Sequence, residues 1–297
     1  MAHNHTSDHS GSKNIAIAFI LNFSFTIIEL IGGLLTNSVA ILSDALHDFG
    51  DSISLALAWY FEKLSAHSPN ARYSYGYKRF ALLGALINST VLLVGSSVVI
   101  YQSVLRILHP QPVVAVGMLW LAILGIIVNG IAVLRTHKKE AGVNERVVSL
   151  HLLEDVLGWL AVLVASVVML FFDLPVLDPL LSVAISIFVL YNVFRNLATT
   201  FKIILQGVPS DVEYSVLRAK LCSVEGVVGI HDLHIWSLDS LYHVGSLHVI
   251  VPPETTTEEI VHLKQLIKEV MHVNGVKHVT VEFETTNESC DPCTSDV

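Results

Sequence analysis

Apolar residues gather in six long runs along this chain, near 15–35, 39–62, 80–108, 113–135, 147–172 and 176–204. Each is long enough for a membrane-crossing helix, which takes about 20 residues. None is apolar throughout, so the helices are expected to pack on one another rather than face lipid all round. After Gly207 the pattern changes to that of a water-soluble segment. Ser210-x-x-Glu213 matches a capping box opening a helix through about 223. Two strand-like runs, 227–238 and 243–251, precede a helical stretch at 256–273 with Ile260, Leu263, Ile267, Val270 and Met271 on one stripe. A last strand at 277–284 alternates Val279, Val281 and Phe283 with Thr280, Glu282 and Glu284. Helix–strand–strand–helix–strand predicts a small α+β domain with its helices on one face of a sheet. The expected organisation is a tail at 1–13, a six-helix membrane domain at 14–206, a cytosolic domain at 207–285 and a tail at 286–297.

Composition agrees with a bilayer. The 297 residues are 53% hydrophobic and 14% charged, with a mean hydropathy of +0.62, where a soluble domain carries about 25% charge. Basic residues set the orientation. Lys63, Arg72, Lys78 and Arg79 lie between spans two and three, Arg135, Lys138, Lys139 and Arg146 between four and five, and Lys13 and Lys202 flank the bundle. The opposite connections, 36–38, 109–112 and 173–176, have none. The positive-inside rule therefore places both termini in the cytosol. Arg106 and Arg195, near span ends, are expected to snorkel. The net charge of −9 argues against a nucleic-acid partner. Cys222, Cys290 and Cys293 do not form a secretory disulfide pattern. Cys222, among apolar neighbours, is expected to pack inward, and the polar first twelve residues do not read as a signal peptide.

The candidate chemistry sits in LSDALHDFGDS, residues 42–52, whose core is His47-x-x-x-Asp51; His151-x-x-x-Asp155 repeats that spacing in the fifth run. Residues four apart share a helix face. Each pair offers an imidazole nitrogen and a carboxylate oxygen, and two such helices side by side would supply a tetrahedral zinc set. Asp44, His47, Asp48 and Asp51 form one stripe, and three lipid-facing aspartates would cost on the order of 8–10 kcal/mol. The stripe must therefore face a wet cavity or a cation. Asp44 and Asp48 have no counterpart in span five and read as buried hydrogen-bonding or interfacial groups; Glu154, one residue off the ligand face, reads the same way. Zinc fits the mixed nitrogen and oxygen set, with cadmium, cobalt and nickel as alternatives. An intramembrane metalloenzyme would need a motif such as H-E-x-x-H, which is absent, so no enzyme is expected. The remaining rival is a membrane-embedded metal sensor without transport.

Six spans, paired His-x-x-x-Asp motifs in the second and fifth, RYSYGYKRFALLGALINS at 72–89 and HDLHIWSL at 231–238 resemble the cation diffusion facilitator family, zinc-transporting branch. The resemblance implies zinc efflux by proton antiport, a homodimer, and a ferredoxin-like cytosolic domain that binds further metal. It assigns transport ligation to His47, Asp51, His151 and Asp155. It assigns the cytosolic site to His231, His248 and Glu284, with Glu282 where some bacterial members place a histidine. His234 and His262 are further candidates. Cys290-x-x-Cys293 has metal-ligand spacing and resembles a tail pair of some zinc-transporting relatives, while His3, His5 and His9 are a scavenging or merely flexible tail. Tyr73 and Tyr77 stand where some relatives carry loop histidines, so no site is expected there. Ala81 replaces an acidic residue common in the branch. The loop with His137 lacks a long His-rich insert, which points to a bacterial inner membrane.

Overall fold

The structure, a computed structural model, describes residues 8–65, 69–136 and 143–287. Six long helices come first: α1 (Asp8–Thr36), α2 (Val39–Ser65), α3 (Phe80–Leu108), α4 (Ala115–Thr136), α5 (Val143–Phe172) and α6 (Leu177–Ile204). Then follow α7 (Tyr214–Cys222), β1 (Gly229–Ser237), β2 (His243–Val251), α8 (Thr257–Val273) and β3 (Val276–Thr285). α1 starts seven residues before its apolar run, because a helix once nucleated propagates through polar residues at little cost. Among the described residues, Phe19–Thr36, Phe80–Leu108, Leu153–Phe172 and Leu177–Ile204 are long and apolar enough to cross a membrane, and α4 offers a shorter apolar stretch, Ala115–Ile131. α2 is less apolar because Asp44, Asp48 and Asp51 lie within it. Large side chains such as Phe171 (79% exposed) and Leu35 (76% exposed) cover the outer faces, as expected where lipid is the solvent.

The helical interior is built on Phe25, Ile41, Met118, Trp159 and Val162. Gly125 on α4 lies against the indole of Trp159 on α5, and a Cβ at 125 would overlap that ring. One end of the bundle is tied together at the turn between α1 and α2. Asn37 takes a left-handed φ of 52° and its Nδ2 donates to the carbonyl of Pro112 at 2.9 Å. Arg106 donates to Asn37 O at 2.6 Å and Oδ1 at 2.7 Å. Arg106 is thus held at the end of its span by the turn between α1 and α2. Asp178 of α6, fully buried, accepts from Ser38 Oγ, from Val39 N at 2.8 Å and from Ala40 N at 3.2 Å. It caps the N-terminus of α2 from another helix, satisfying N–H groups that a helix start leaves unpaired.

The described residues divide into two compact units, the second joining the segment before α3 to the chain from the end of α6 onward. In that unit β1 pairs antiparallel with β2 and β2 parallel with β3, so the sheet order is β1-β2-β3. Leu217 and Leu221 of α7, Leu263, Ile267 and Met271 of α8, and Leu247, Val249 and Val251 of β2 make one core, which places both helices on one sheet face. Thr256 and Glu259 form a reciprocal capping box at α8, and those bonds hold the Glu259 carboxyl below its usual range. The capping box expected at Ser210 and Glu213 does not form. α7 begins at Tyr214, with Glu213 at its N-cap and no side-chain cap bond. Asp211 is instead drawn to the buried His243, whose Nε2 lies 3.0 Å away while Nδ1 meets Ser237 Oγ at 2.7 Å. Cys222 is also corrected: it is exposed at the end of α7, and its neighbour Leu221 points inward.

The His243 bond holds the Asp211 carboxyl below its ordinary value. A depressed carboxylate adds stability above its unfolded pKa, about 3.9, and loses it as pH falls through the lower folded value. His243→Ala is expected to destabilise this unit by about 1–3 kcal/mol, since it also strands Ser237. Melting curves of the full chain between neutral and acidic pH should show the variant's deficit shrinking on the acid side.

Candidate metal centre

On α2, helix periodicity aligns Asp44, His47, Asp48 and Asp51 without help from the rest of the fold. His47 Nε2 stands 3.8 Å from Asp51 Oδ2. Two ligands of a tetrahedral zinc ion lie about 3.3–3.5 Å apart, so this pair needs only a small adjustment to share one. Their side chains are 19% and 27% exposed, so an ion can reach them. Asp44 and Asp48 on the same stripe are buried, at 8% and 5% exposure. Asp155 on α5 is half-buried, and its charge acts on both Asp44 and Asp48. One turn along, Gly158 leaves room beside Asp44: a Cβ there would stand 3.9 Å from Asp44 Oδ1. The acidic stripe of α2 thus looks toward the Asp155 turn of α5. His151 is on α5 four residues before Asp155, and its side chain lies outside the described residues. Glu154 is exposed. Sequence reasoning passed over Glu29 of α1, which is fully buried and acted on by Asp44, Asp48 and Asp155; an ionisable residue inside an apolar run was the available signal.

The second cluster lies on the sheet face opposite the helices. His231 pairs with His248 in register, and His248 with Glu282. His231 Nε2 is 2.9 Å from Glu284 Oε2 and His248 Nδ1 is 2.5 Å from Glu284 Oε1. One donor atom from each of the three lies within 4.8 Å of the others. His231 Nδ1 is buried and has no hydrogen-bond partner among the described residues. Two imidazoles converging on a carboxylate make a borderline donor set that fits zinc. Glu282 reaches only to 3.5 Å from His248 Nε2 and is 68% exposed.

A β-bulge shapes the rim of this cluster. The register slips between His231 and His234, and Asp232 takes a positive φ of 54°. The extra residue turns His234 onto the same face as His231, which strict alternation over three positions would forbid. His234 is nonetheless 63% exposed and bonded to Asp232 at 3.0 Å, so it stays outside the converging group. Asp232 Oδ2, at 3.8 Å from His248 Nε2, was not foreseen, because a bulge leaves no mark in the residue pattern. His262 is exposed on α8. Tyr73 and Tyr77 pack with ring centroids 4.9 Å apart and their planes tilted by 52°. Cys290, Cys293, His3, His5 and His137 lie outside the described residues, as does the side chain of His9.

Comparison with known proteins adds the following. The family described as Cation efflux transmembrane domain matches residues 15–205, and that described as Cation efflux protein, cytoplasmic domain, matches residues 209–286. A cadmium, cobalt and zinc/H(+)-K(+) antiporter of Bacillus subtilis is 34% identical over 294 residues, 98% of this chain and 94% of that protein. The zinc transporter ZitB of Pectobacterium atrosepticum is 31% identical over 99% of this chain and 92% of its own length. The metal cation efflux system protein CzcD of Cupriavidus metallidurans is 30% identical over 96% and 90%.

Proposed function

Because this chain belongs to the cation efflux family, a family of membrane transporters rather than enzymes, we propose that it exports divalent zinc in exchange for protons. The observation that carries this reading is the pairing of His47 and Asp51 at 3.8 Å on a helix whose acidic stripe looks toward Asp155. His151, one turn before Asp155, completes a set of two nitrogens and two oxygens. Zinc needs these ligands deprotonated, so loading from the cytosol releases protons, and re-protonation on the far side expels the metal. Access alternates as the bundle shifts around the mid-membrane ligands. A broader range of substrates is supported by the name of the Bacillus relative, which includes cadmium and cobalt; that name also supports proton exchange. The membrane is the bacterial inner membrane, with both termini cytosolic.

His231, His248 and Glu284 hold a further zinc ion in the cytosolic domain, which also joins two copies of the chain. Glu284 links both imidazoles, so Glu284→Gln is expected to weaken zinc binding there by at least about 10–100-fold. Titration of the full chain with zinc, in the presence and absence of the substitution, measures this. For transport the test is zinc uptake into proteoliposomes under an imposed pH gradient. Accumulation that follows the gradient supports antiport, whereas zinc binding without uptake would favour a sensor.

A further inference from the structure

The two imidazoles of the cytosolic cluster are held differently. Both turn one ring nitrogen to Glu284: His248 Nδ1 lies 2.5 Å from Oε1, and His231 Nε2 lies 2.9 Å from Oε2. Their outer nitrogens face elsewhere. His231 Nδ1 is buried and meets no hydrogen-bond partner among the described residues. His248 Nε2 is bracketed by two further carboxylates, Glu282 Oε2 at 3.5 Å and Asp232 Oδ2 at 3.8 Å. Those two are not equivalent. Glu282 is a long side chain standing mostly in water. Asp232 is short and fixed at both ends. Its backbone takes a φ of 54° in the β-bulge, a region that aspartate tolerates better than most residues. Its Oδ1 lies 3.0 Å from His234 Nε2, which leaves Oδ2 for His248.

We propose that Asp232 is a positioning residue for the cytosolic zinc ion: it receives the outer N–H of His248 and so holds the ring with Nδ1 toward the metal. The inference rests on the zinc reading of His231, His248 and Glu284, and adds what orients one of those ligands. A histidine on a metal donates its other ring N–H to a carboxylate, a carbonyl or water, and that partner sets the angle of the ring. An N–H···O bond forms at about 2.7–3.2 Å, so Oδ2 closes by roughly 1 Å as the ring settles on the ion. His234 anchors the far oxygen of Asp232 without touching the metal. His231 has no such partner and relies on burial for its orientation.

The test is zinc titration of the full chain in detergent, with the cytosolic ion identified as the component that Glu284→Gln removes. Asp232→Gly keeps the left-handed backbone, which glycine adopts freely, and deletes the carboxylate. It is expected to weaken that component by about 10–100-fold. Asp232→Asn keeps an oxygen acceptor and tolerates the same backbone, and is expected to fall between that variant and the wild type. Glu282→Gln is expected to lose less than Asp232→Gly. NMR of isotope-labelled histidine in the zinc-loaded chain separates orientation from general loosening. In Asp232→Gly the outer N–H proton of His248 is expected to shift upfield, while that of His231 stays in place. Unchanged zinc affinity in Asp232→Gly, equal shifts of both ring protons, or a larger loss from Glu282→Gln would each overturn the proposal. A wild-type chain with no Glu284-dependent zinc would overturn the underlying site as well, whereas a site that binds zinc and ignores Asp232 overturns this proposal alone.

Discussion

Asp51→Ala is expected to cut pH-gradient-driven zinc accumulation in proteoliposomes by at least about 100-fold, because even partners one layer behind a metal ligand cost about 10–100-fold. Asp51 Oδ2 lies 3.8 Å from His47 Nε2 on the same face of α2. In the proposed exchange, alanine would remove both a ligand and a proton carrier and leave α2 with His47 alone. The variant should still insert, since the change removes a charge from an apolar helix, where each aspartate costs about 2.5–3.5 kcal/mol. Normal yield with absent uptake is therefore the expected pair of results. Uptake at the wild-type rate would remove His47 and Asp51 from the transport path.

The second large effect is expected at a residue that touches no metal. Asp178 is fully buried and accepts hydrogen bonds from Ser38 Oγ, Val39 N and Ala40 N. Asp178→Ala leaves three donors stranded in the interior at the start of α2. Bonds to a charged group contribute about 1.5–3 kcal/mol each, so a loss of about 3–6 kcal/mol is expected after partial relaxation. Because α2 carries the acidic stripe, frayed residues at its start let the ligands drift, and transport falls with stability. Thermal unfolding in detergent and zinc uptake should decline together. Ser38→Ala removes one of the three bonds together with the one Ser38 Oγ accepts from Ile41 N at 3.2 Å, and should lie between the variant and the wild type in both assays.

Whatever depends on spacing within one element could be read before any fold was known. The His47 and Asp51 pair needs only the helix repeat, and the alternation of Val279, Val281 and Phe283 needs only the strand repeat. The six helices and the α+β order follow from the same periodicities. What escaped depends on two distant pieces of chain meeting. Asp178 reaches α2 across 140 residues of sequence. Asp211, beside the Ser210 cap that does not form, meets His243, 32 residues on. Asp232 owes its place to a register slip against β2, which no residue pattern records. Cys222 was misjudged because a short helix of mixed polarity gives its final residue two plausible directions, and the hairpin beneath it selected Leu221.

The seat of the Trp159 indole on Gly125 bears on how the bundle can move. With an aromatic plate keyed into the bare backbone of its neighbour, α5 cannot spin about its own axis without prying the ring from its notch. Any swing that carries Asp155 from one side of the membrane to the other must take α4 along as a second arm of the same lever. The sliding seam then falls on the other flank of α5, where Gly158 faces Asp44.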